Sequence, residues 1–72
     1  MTIPELAEEY NRSAELLHGR MKELRRAMRE TENEELRLRL DRRLRPLQVM
    51  FRETRQTARY LADYYSRGGR KG

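Results

Sequence analysis

The chain has 72 residues and a mass of 8.8 kDa, and it is 40% charged but only 36% hydrophobic. A chain this short forms one domain with a thin core, and such domains often rely on disulfides, metals or self-association. It contains no cysteine, which excludes a disulfide framework and a thiolate metal site. It also lacks a long apolar run and a recognisable signal segment, so we expect a cytoplasmic protein with no membrane contact.

The first predicted element is a helix over about residues 3–29. Thr2 and Glu5 form a capping box around Pro4, which is tolerated in a first helical turn. Apolar residues then recur at steps of three and four, which places them on one face of a helix. They are Ile3, Leu6, Tyr10, Ala14, Leu17, Met21, Leu24 and Met28.

The turn is predicted at residues 30–33, where no apolar residue occurs and where Thr31 and Asn33, each followed by acidic residues, are both candidate N-caps of the second helix. A second helix should run from about residue 34 to residue 66. Its apolar face follows the same steps and comprises Leu36, Leu40, Leu44, Leu47, Phe51, Thr54, Ala58, Leu61 and Tyr65. Gly68 and Gly69 favour a helix end just before them, so residues 67–72 are expected to form a flexible basic tail.

Pro46 lies inside the second predicted helix. A proline there removes one backbone donor and crowds the preceding turn, at a cost of roughly 3 kcal/mol. Two interpretations remain open. The helix is either kinked at Pro46 or broken into two near Arg45.

The two apolar faces stay in phase if position i faces position 64 − i, which sets Met28 against Leu36 and Leu6 against Ala58. The predicted fold class is therefore all-α, an antiparallel two-helix hairpin resembling a coiled coil. Further apolar residues make both faces wider than one seam requires, so we expect a homodimer that forms a four-helix bundle. The alternative is a marginally stable monomeric hairpin.

Residue types that support catalysis are scarce. The chain has one histidine, two serines and no glycine-rich phosphate loop. Glu15 and His18 match the Glu-x-x-His pair of di-iron bundles, but they flank Leu17 towards solvent and face no carboxylate of the second helix. We expect no enzyme activity, no catalytic, cofactor or metal site, and no small-molecule substrate.

Basic charge is concentrated in the second helix. Residues 36–60 carry eight arginines against two acidic residues, whereas residues 1–15 carry four acidic residues against one arginine. Such a helix face could contact nucleic acid or an acidic protein surface. The candidate contact residues are Arg42, Arg45, Arg52, Arg55, Arg59, Arg67, Arg70 and Lys71. The aromatic residues do not interleave with the arginines in sequence, which predicts no stacking platform for bases.

The alternative interpretation of these arginines is a solvated helix face, partly neutralised by Glu35–Arg39 and Asp41–Arg45 pairs. Tyr60 and Tyr64, at the margin of the second apolar face, are candidate protein-contact aromatics, because tyrosine is enriched at interfaces. Their alternative role is packing at the end of the bundle, with the hydroxyl groups in water.

Three segments carry a resemblance to known proteins: residues 1–6 (MTIPEL), 50–54 (MFRET) and 64–68 (YYSRG). They resemble a group of short uncharacterised helical proteins of phages and conjugative elements in Gram-positive bacteria. The resemblance implies an accessory role on a mobile element and no catalytic residues.

These observations predict a non-enzymatic regulatory or accessory module that self-associates and binds an acidic protein surface or nucleic acid through its arginine-rich helix face. Two alternatives are a protein whose main activity is direct nucleic-acid binding, and a small inhibitor of a larger nucleic-acid enzyme.

Overall fold

The structure is a computed structural model that describes the backbone of residues 2–71 and the side chains of residues 2–64. It contains two α-helices, α1 (Ile3–Glu30) and α2 (Glu34–Lys71), joined by residues 31–33. The helices run in opposite directions and pack along their length, with principal extents of 59 × 16 × 14 Å. The predicted all-α helical hairpin is therefore confirmed.

A capping box opens α1. The Glu5 backbone N–H donates to the Thr2 hydroxyl oxygen at 3.3 Å, and the Thr2 backbone N–H donates to the Glu5 carboxylate at 2.9 Å. Each contact satisfies a donor that has no partner within the helix. The hydrogen bond from the Thr2 backbone, helped by the Thr2 side chain, lowers the pKa of Glu5 below its usual 4.5.

Of the two predicted N-caps of the turn, Asn33 caps the start of α2, whereas Thr31 is the C-cap of α1. The Thr31 backbone N–H donates to the Ala27 carbonyl at 3.1 Å and closes α1. The Asn33 side-chain oxygen accepts from the Leu36 backbone N–H at 3.1 Å and opens α2. The Thr31 hydroxyl also accepts from the Asn33 backbone N–H at 3.1 Å, which ties the two caps together.

Helix α2 passes through Pro46 without interruption, so the interpretation as two separate helices is wrong. Pro46 is exposed, and its ring nitrogen carries no hydrogen, so it cannot donate the hydrogen bond that another residue at position 46 would give to the Arg42 carbonyl. The helix also extends past the predicted end at residue 66, as far as Lys71. Gly68 and Gly69 cost helical stability, about 1 kcal/mol each, without excluding a helix.

The seam between the helices follows a strict seven-residue repeat. In α1 the buried residues Ala7, Ala14 and Met21 are spaced by seven, and in α2 the buried residues Leu44 and Ala58 are spaced by fourteen. A second series, three residues after the first, is half-buried in both helices. It comprises Ile3, Tyr10, Leu17 and Leu24 in α1 and Leu40, Leu47, Thr54 and Leu61 in α2. Two such series per helix are the pattern of a coiled-coil seam.

In the first turn of α2, the prediction that Leu36 packs against α1 is wrong. The repeat places Arg37, rather than Leu36, in the seam, and Leu36 is 42% exposed. Arg37 fits there because its guanidinium caps the end of α1. Its Nε donates to the Met28 carbonyl at 3.1 Å and its Nη2 to the Thr31 carbonyl at 2.7 Å. Its Nη1 also pairs with the Glu34 carboxylate. A cation at the carboxyl end of a helix is favourable there.

A similar shift of one residue occurs at the other end, where Ala7 is buried and Leu6 is only half-buried. Alanine at Ala7, Ala14 and Ala58 lets the two backbones approach closely. Only Met21 and Leu44 add larger buried side chains among the described residues. The core within one hairpin is therefore as thin as the composition predicts.

Candidate functional site

The seven-residue repeat divides the hairpin surface into two opposite faces. Residues that directly follow a seam residue lie on one side of each helix, and residues that directly precede one lie on the other. Because the helices are antiparallel, the "following" sides of α1 and α2 meet on the same face of the hairpin. We call this the arginine face, and the opposite one the apolar face.

A groove of about 690 Å³ runs between α1 and α2 on the arginine face. Four of its lining residues are arginines, and no carboxylate lines it. Both helices contribute. The lining residues are His18, Met21 and Arg25 from α1 and Gln48, Phe51, Arg52, Arg55, Gln56 and Arg59 from α2. We call this feature the arginine groove.

An aromatic pair forms the centre of the arginine groove. The rings of His18 and Phe51 stack, with centroids 5.7 Å apart and planes inclined by 27°. The guanidinium carbon of Arg55 lies 5.9 Å from the centroid of the Phe51 ring, within the range of a cation–π contact. The prediction that no aromatic side chain lies among the arginines is therefore wrong. Phe51 is a seam residue whose ring is half-buried and reaches the groove.

The guanidinium groups of the groove are available to a ligand. Within the side chains that the structure describes, Arg25, Arg52 and Arg59 form no hydrogen bond or ion pair. Arg55 likewise forms no hydrogen bond or ion pair with a described side chain, and its guanidinium lies over the Phe51 ring. Unpaired guanidinium groups repel one another, so an anion that enters the groove gains from all of them.

The predicted contact residues are only partly brought together. Arg52, Arg55 and Arg59 line the arginine groove. Arg45 lies on the same face seven residues before Arg52, where its Nε pairs with the Asp41 carboxylate at 3.0 Å. Arg42 lies elsewhere, at a depression on the apolar face.

The predicted ion pairs lie within the described side chains, whereas the predicted contact residues of the tail do not. Of the two neutralising pairs expected, Asp41–Arg45 is present, whereas none forms between Glu35 and Arg39 in the part of the chain with described side chains. The predicted contact residues of the tail, which are Arg67, Arg70 and Lys71, lie outside the described side chains. Tyr65, which is predicted to pack between the two helices, also lies outside the described side chains.

Sequence reasoning missed Arg25 and His18 as groove residues. They lie seven residues apart, and each directly follows a seam residue, Leu24 and Leu17 respectively. This spacing could have been recognised, because the same rule places Arg52 and Arg59 directly after seam residues in α2. Their meeting with the arginines of α2, however, depends on the register between the helices.

The apolar face carries most of the exposed large hydrophobic residues. Among residues 2–64, five of the seven such residues belong to it. They are Leu16, Leu36, Met50, Tyr60 and Tyr64. The rings of Tyr60 and Tyr64 are neighbours, with centroids 6.4 Å apart, and their role as protein-contact aromatics stays a prediction.

Within residues 2–64, no three histidine, cysteine, aspartate or glutamate side chains come together as metal ligands. Neither α1 nor the described part of α2 has a stretch apolar enough to cross a bilayer. No family model matches the chain, and neither a curated protein nor a solved structure does.

Proposed function

We propose that the protein is a non-enzymatic interaction module that binds nucleic acid, single strands in particular, through the arginine groove. The observation that carries this proposal is the combination of four arginines, a stacked His18–Phe51 pair and no carboxylate along one groove. Single strands are bound where a basic groove follows the phosphates and aromatic rings stack on bases.

The spacing of the arginines supports an extended ligand. Arg45, Arg52 and Arg59 repeat every seven residues along α2, which is about 10 Å by the rise of a helix. Arg25 adds a charge from α1 on the other side of the groove. A polyanion lying along α2 would therefore meet guanidinium groups on both sides, and arginine suits phosphate because it donates two parallel hydrogen bonds.

The module is proposed to act as a homodimer, because one hairpin buries few residues and exposes a long apolar face. We also propose a cytoplasmic location, which is compatible with a nucleic-acid partner. The resemblance to short helical proteins of phages and conjugative elements supports an accessory, regulatory role on such an element. An acidic protein surface is the competing partner, since carboxylates also pair with arginine.

Fluorescence anisotropy with a labelled 20-nucleotide single strand tests the proposal. The variant Arg52→Gln/Arg55→Gln removes two charges from the groove. The matched control Arg26→Gln/Arg42→Gln removes two charges at positions that do not line the groove and are not adjacent to a seam residue. The groove variant should lose about tenfold or more in affinity, and its salt slope should fall by about one to two. The control should lose less than about threefold.

Two results would contradict the proposal. One is the absence of binding by the unmodified protein even at low salt. The other is an equal loss in the two double variants, which would mean that only net charge matters. A labelled duplex and a polyglutamate peptide serve as further ligands, and binding of the peptide alone would identify an acidic protein surface as the partner.

A further inference from the structure

We infer that the apolar face is a self-association surface, and that the resulting dimer carries its two arginine grooves on opposite outer sides, so that it bridges two nucleic-acid segments. The bridging half of this inference rests on the proposed function. The interface half does not depend on nucleic-acid binding, because it follows from the distribution of apolar and charged side chains.

The first step is the one-sided exposure of apolar side chains. Met50 and Val49 are adjacent and equally exposed, at 50% and 52%. Met50 directly precedes the seam residue Phe51 and so belongs to the apolar face, together with Leu16 of α1, which is 68% exposed. Exposed large apolar side chains gathered on one face of a small hairpin mark an interaction surface.

The second step identifies the occupant as another copy of this chain. Charges on the apolar face nearly cancel, so two copies can meet there without net repulsion. The positions that precede seam residues carry Glu9, Glu23, Glu30 and Glu53 against Arg20, Arg39 and Arg43. The arginine face could not serve in this way, because its unpaired guanidinium groups would oppose those of the copy.

The third step concerns area. A face of a hairpin with extents of 59 × 16 Å is similar in outline to the area that each partner contributes to a standard interface, about 800 Å². A two-fold axis between two such faces generates a four-helix bundle, in which the exposed side chains of both copies form a second core.

The geometry of this bundle sets the further activity. Within one hairpin the arginine groove lies on the side opposite the apolar face, because residues that follow seam residues line the groove and residues that precede them form the apolar face. Two hairpins joined through their apolar faces therefore present their grooves outward, two layers apart. One nucleic-acid segment cannot fill both grooves without wrapping around the bundle, whereas two segments can each occupy one.

Sedimentation equilibrium of the full chain tests the interface. The unmodified protein and Val49→Glu should both sediment as dimers, at twice 8.8 kDa. Met50→Glu should raise the dissociation constant of the dimer at least tenfold. Leu16→Glu, on α1, should do the same, and its circular dichroism shows whether the hairpin remains folded. A monomeric unmodified protein, or equal effects of Val49→Glu and Met50→Glu, would overturn the interface.

Bridging is tested by capture of a fluorescent 30-nucleotide strand on beads that carry a second, non-complementary strand. The unmodified protein should retain the fluorescent strand, whereas Met50→Glu should bind one strand in anisotropy but retain at least tenfold less on the beads. Retention by a monomeric variant would overturn bridging. If the unmodified protein binds no strand at all, the proposed function and bridging fail together, while sedimentation still decides the interface.

Discussion

The imidazole of His18 in α1 stacks on the ring of Phe51 in α2 at a centroid distance of 5.7 Å, across the seam of the hairpin. This contact joins a residue on the arginine face to a half-buried residue of the seam. It places an aromatic surface between Arg25 on one side and Arg55 on the other. The groove thus depends on the register of the two helices and not on α2 alone.

Arg25 should contribute to nucleic-acid binding although it lies outside the arginine-rich helix. Arg25→Gln should weaken the binding of a single strand by about threefold to tenfold, because one of the four arginines of the groove is lost. Arg26→Gln is the matched control, since Arg26 faces outward on α1, beside Lys22 and Arg29. Anisotropy titrations measure both, and equal affinities for the two variants would contradict a groove shared between the helices.

Arg37 should stabilise the hairpin through the carboxyl end of α1. Arg37→Met keeps an unbranched apolar stem but leaves the Met28 and Thr31 carbonyls without its donors. Hydrogen bonds from a charged donor contribute about 1.5–3 kcal/mol, so a partly exposed site should lose about 1–2 kcal/mol of unfolding free energy. Urea denaturation measures this loss. Arg39→Met, at an exposed position, should change stability by less than about 0.5 kcal/mol, and a similar loss there would argue against the capping role.

The small buried alanines should be intolerant of larger side chains. Ala58 is only 2% exposed, and a leucine in its place would push the helices apart, at a cost of about 1–3 kcal/mol. Ala62→Leu provides the control, because Ala62 lies one turn further along α2 and is exposed. Thermal unfolding of both variants distinguishes the positions. A stable Ala58→Leu variant would show that the close approach of the helices is not required.

The capping box should make helix stability depend on pH. The pKa of Glu5 is lowered in the folded protein. The carboxylate therefore makes its full contribution to the free energy of unfolding above the unfolded pKa of 4.5, and this contribution disappears as the pH falls through the lower pKa of the folded state. Glu5→Gln should therefore be less stable than the unmodified protein at pH 7, and the two stabilities should converge in strong acid. Urea unfolding across this pH range measures the difference, and a constant difference at all pH values would contradict the role of the carboxylate.

Most of the fold could be predicted because the apolar residues of α1 and α2 recur at steps of three and four. The predictions are wrong at positions where hydrophobicity alone indicates which residue lies in the seam. At the start of α2, Leu36 is the more hydrophobic residue, but Arg37 occupies the seam because its guanidinium satisfies carbonyls at the end of α1. Such a contact depends on tertiary structure, and it has no signature in the pattern of α2.

The site could be predicted only in part for a related reason. The recurrence of Arg52, Arg55 and Arg59 is visible in the sequence, whereas Arg25 joins them only once the hairpin has formed. The spacing of Phe51 fits the seam and predicts a core residue. Its ring also lines the groove, because the packing of the two helices buries Phe51 only in part.

The most direct test of the central claim is a two-dimensional NMR titration of the protein with a single-stranded oligonucleotide, observing backbone amides and arginine Nε–H groups. We predict that the largest shift changes fall on Arg25, Phe51, Arg52, Arg55 and Arg59, and that Arg42 and Arg43 change little. Changes concentrated on Arg42 and Arg43, or spread evenly over all arginines, would contradict binding in the arginine groove.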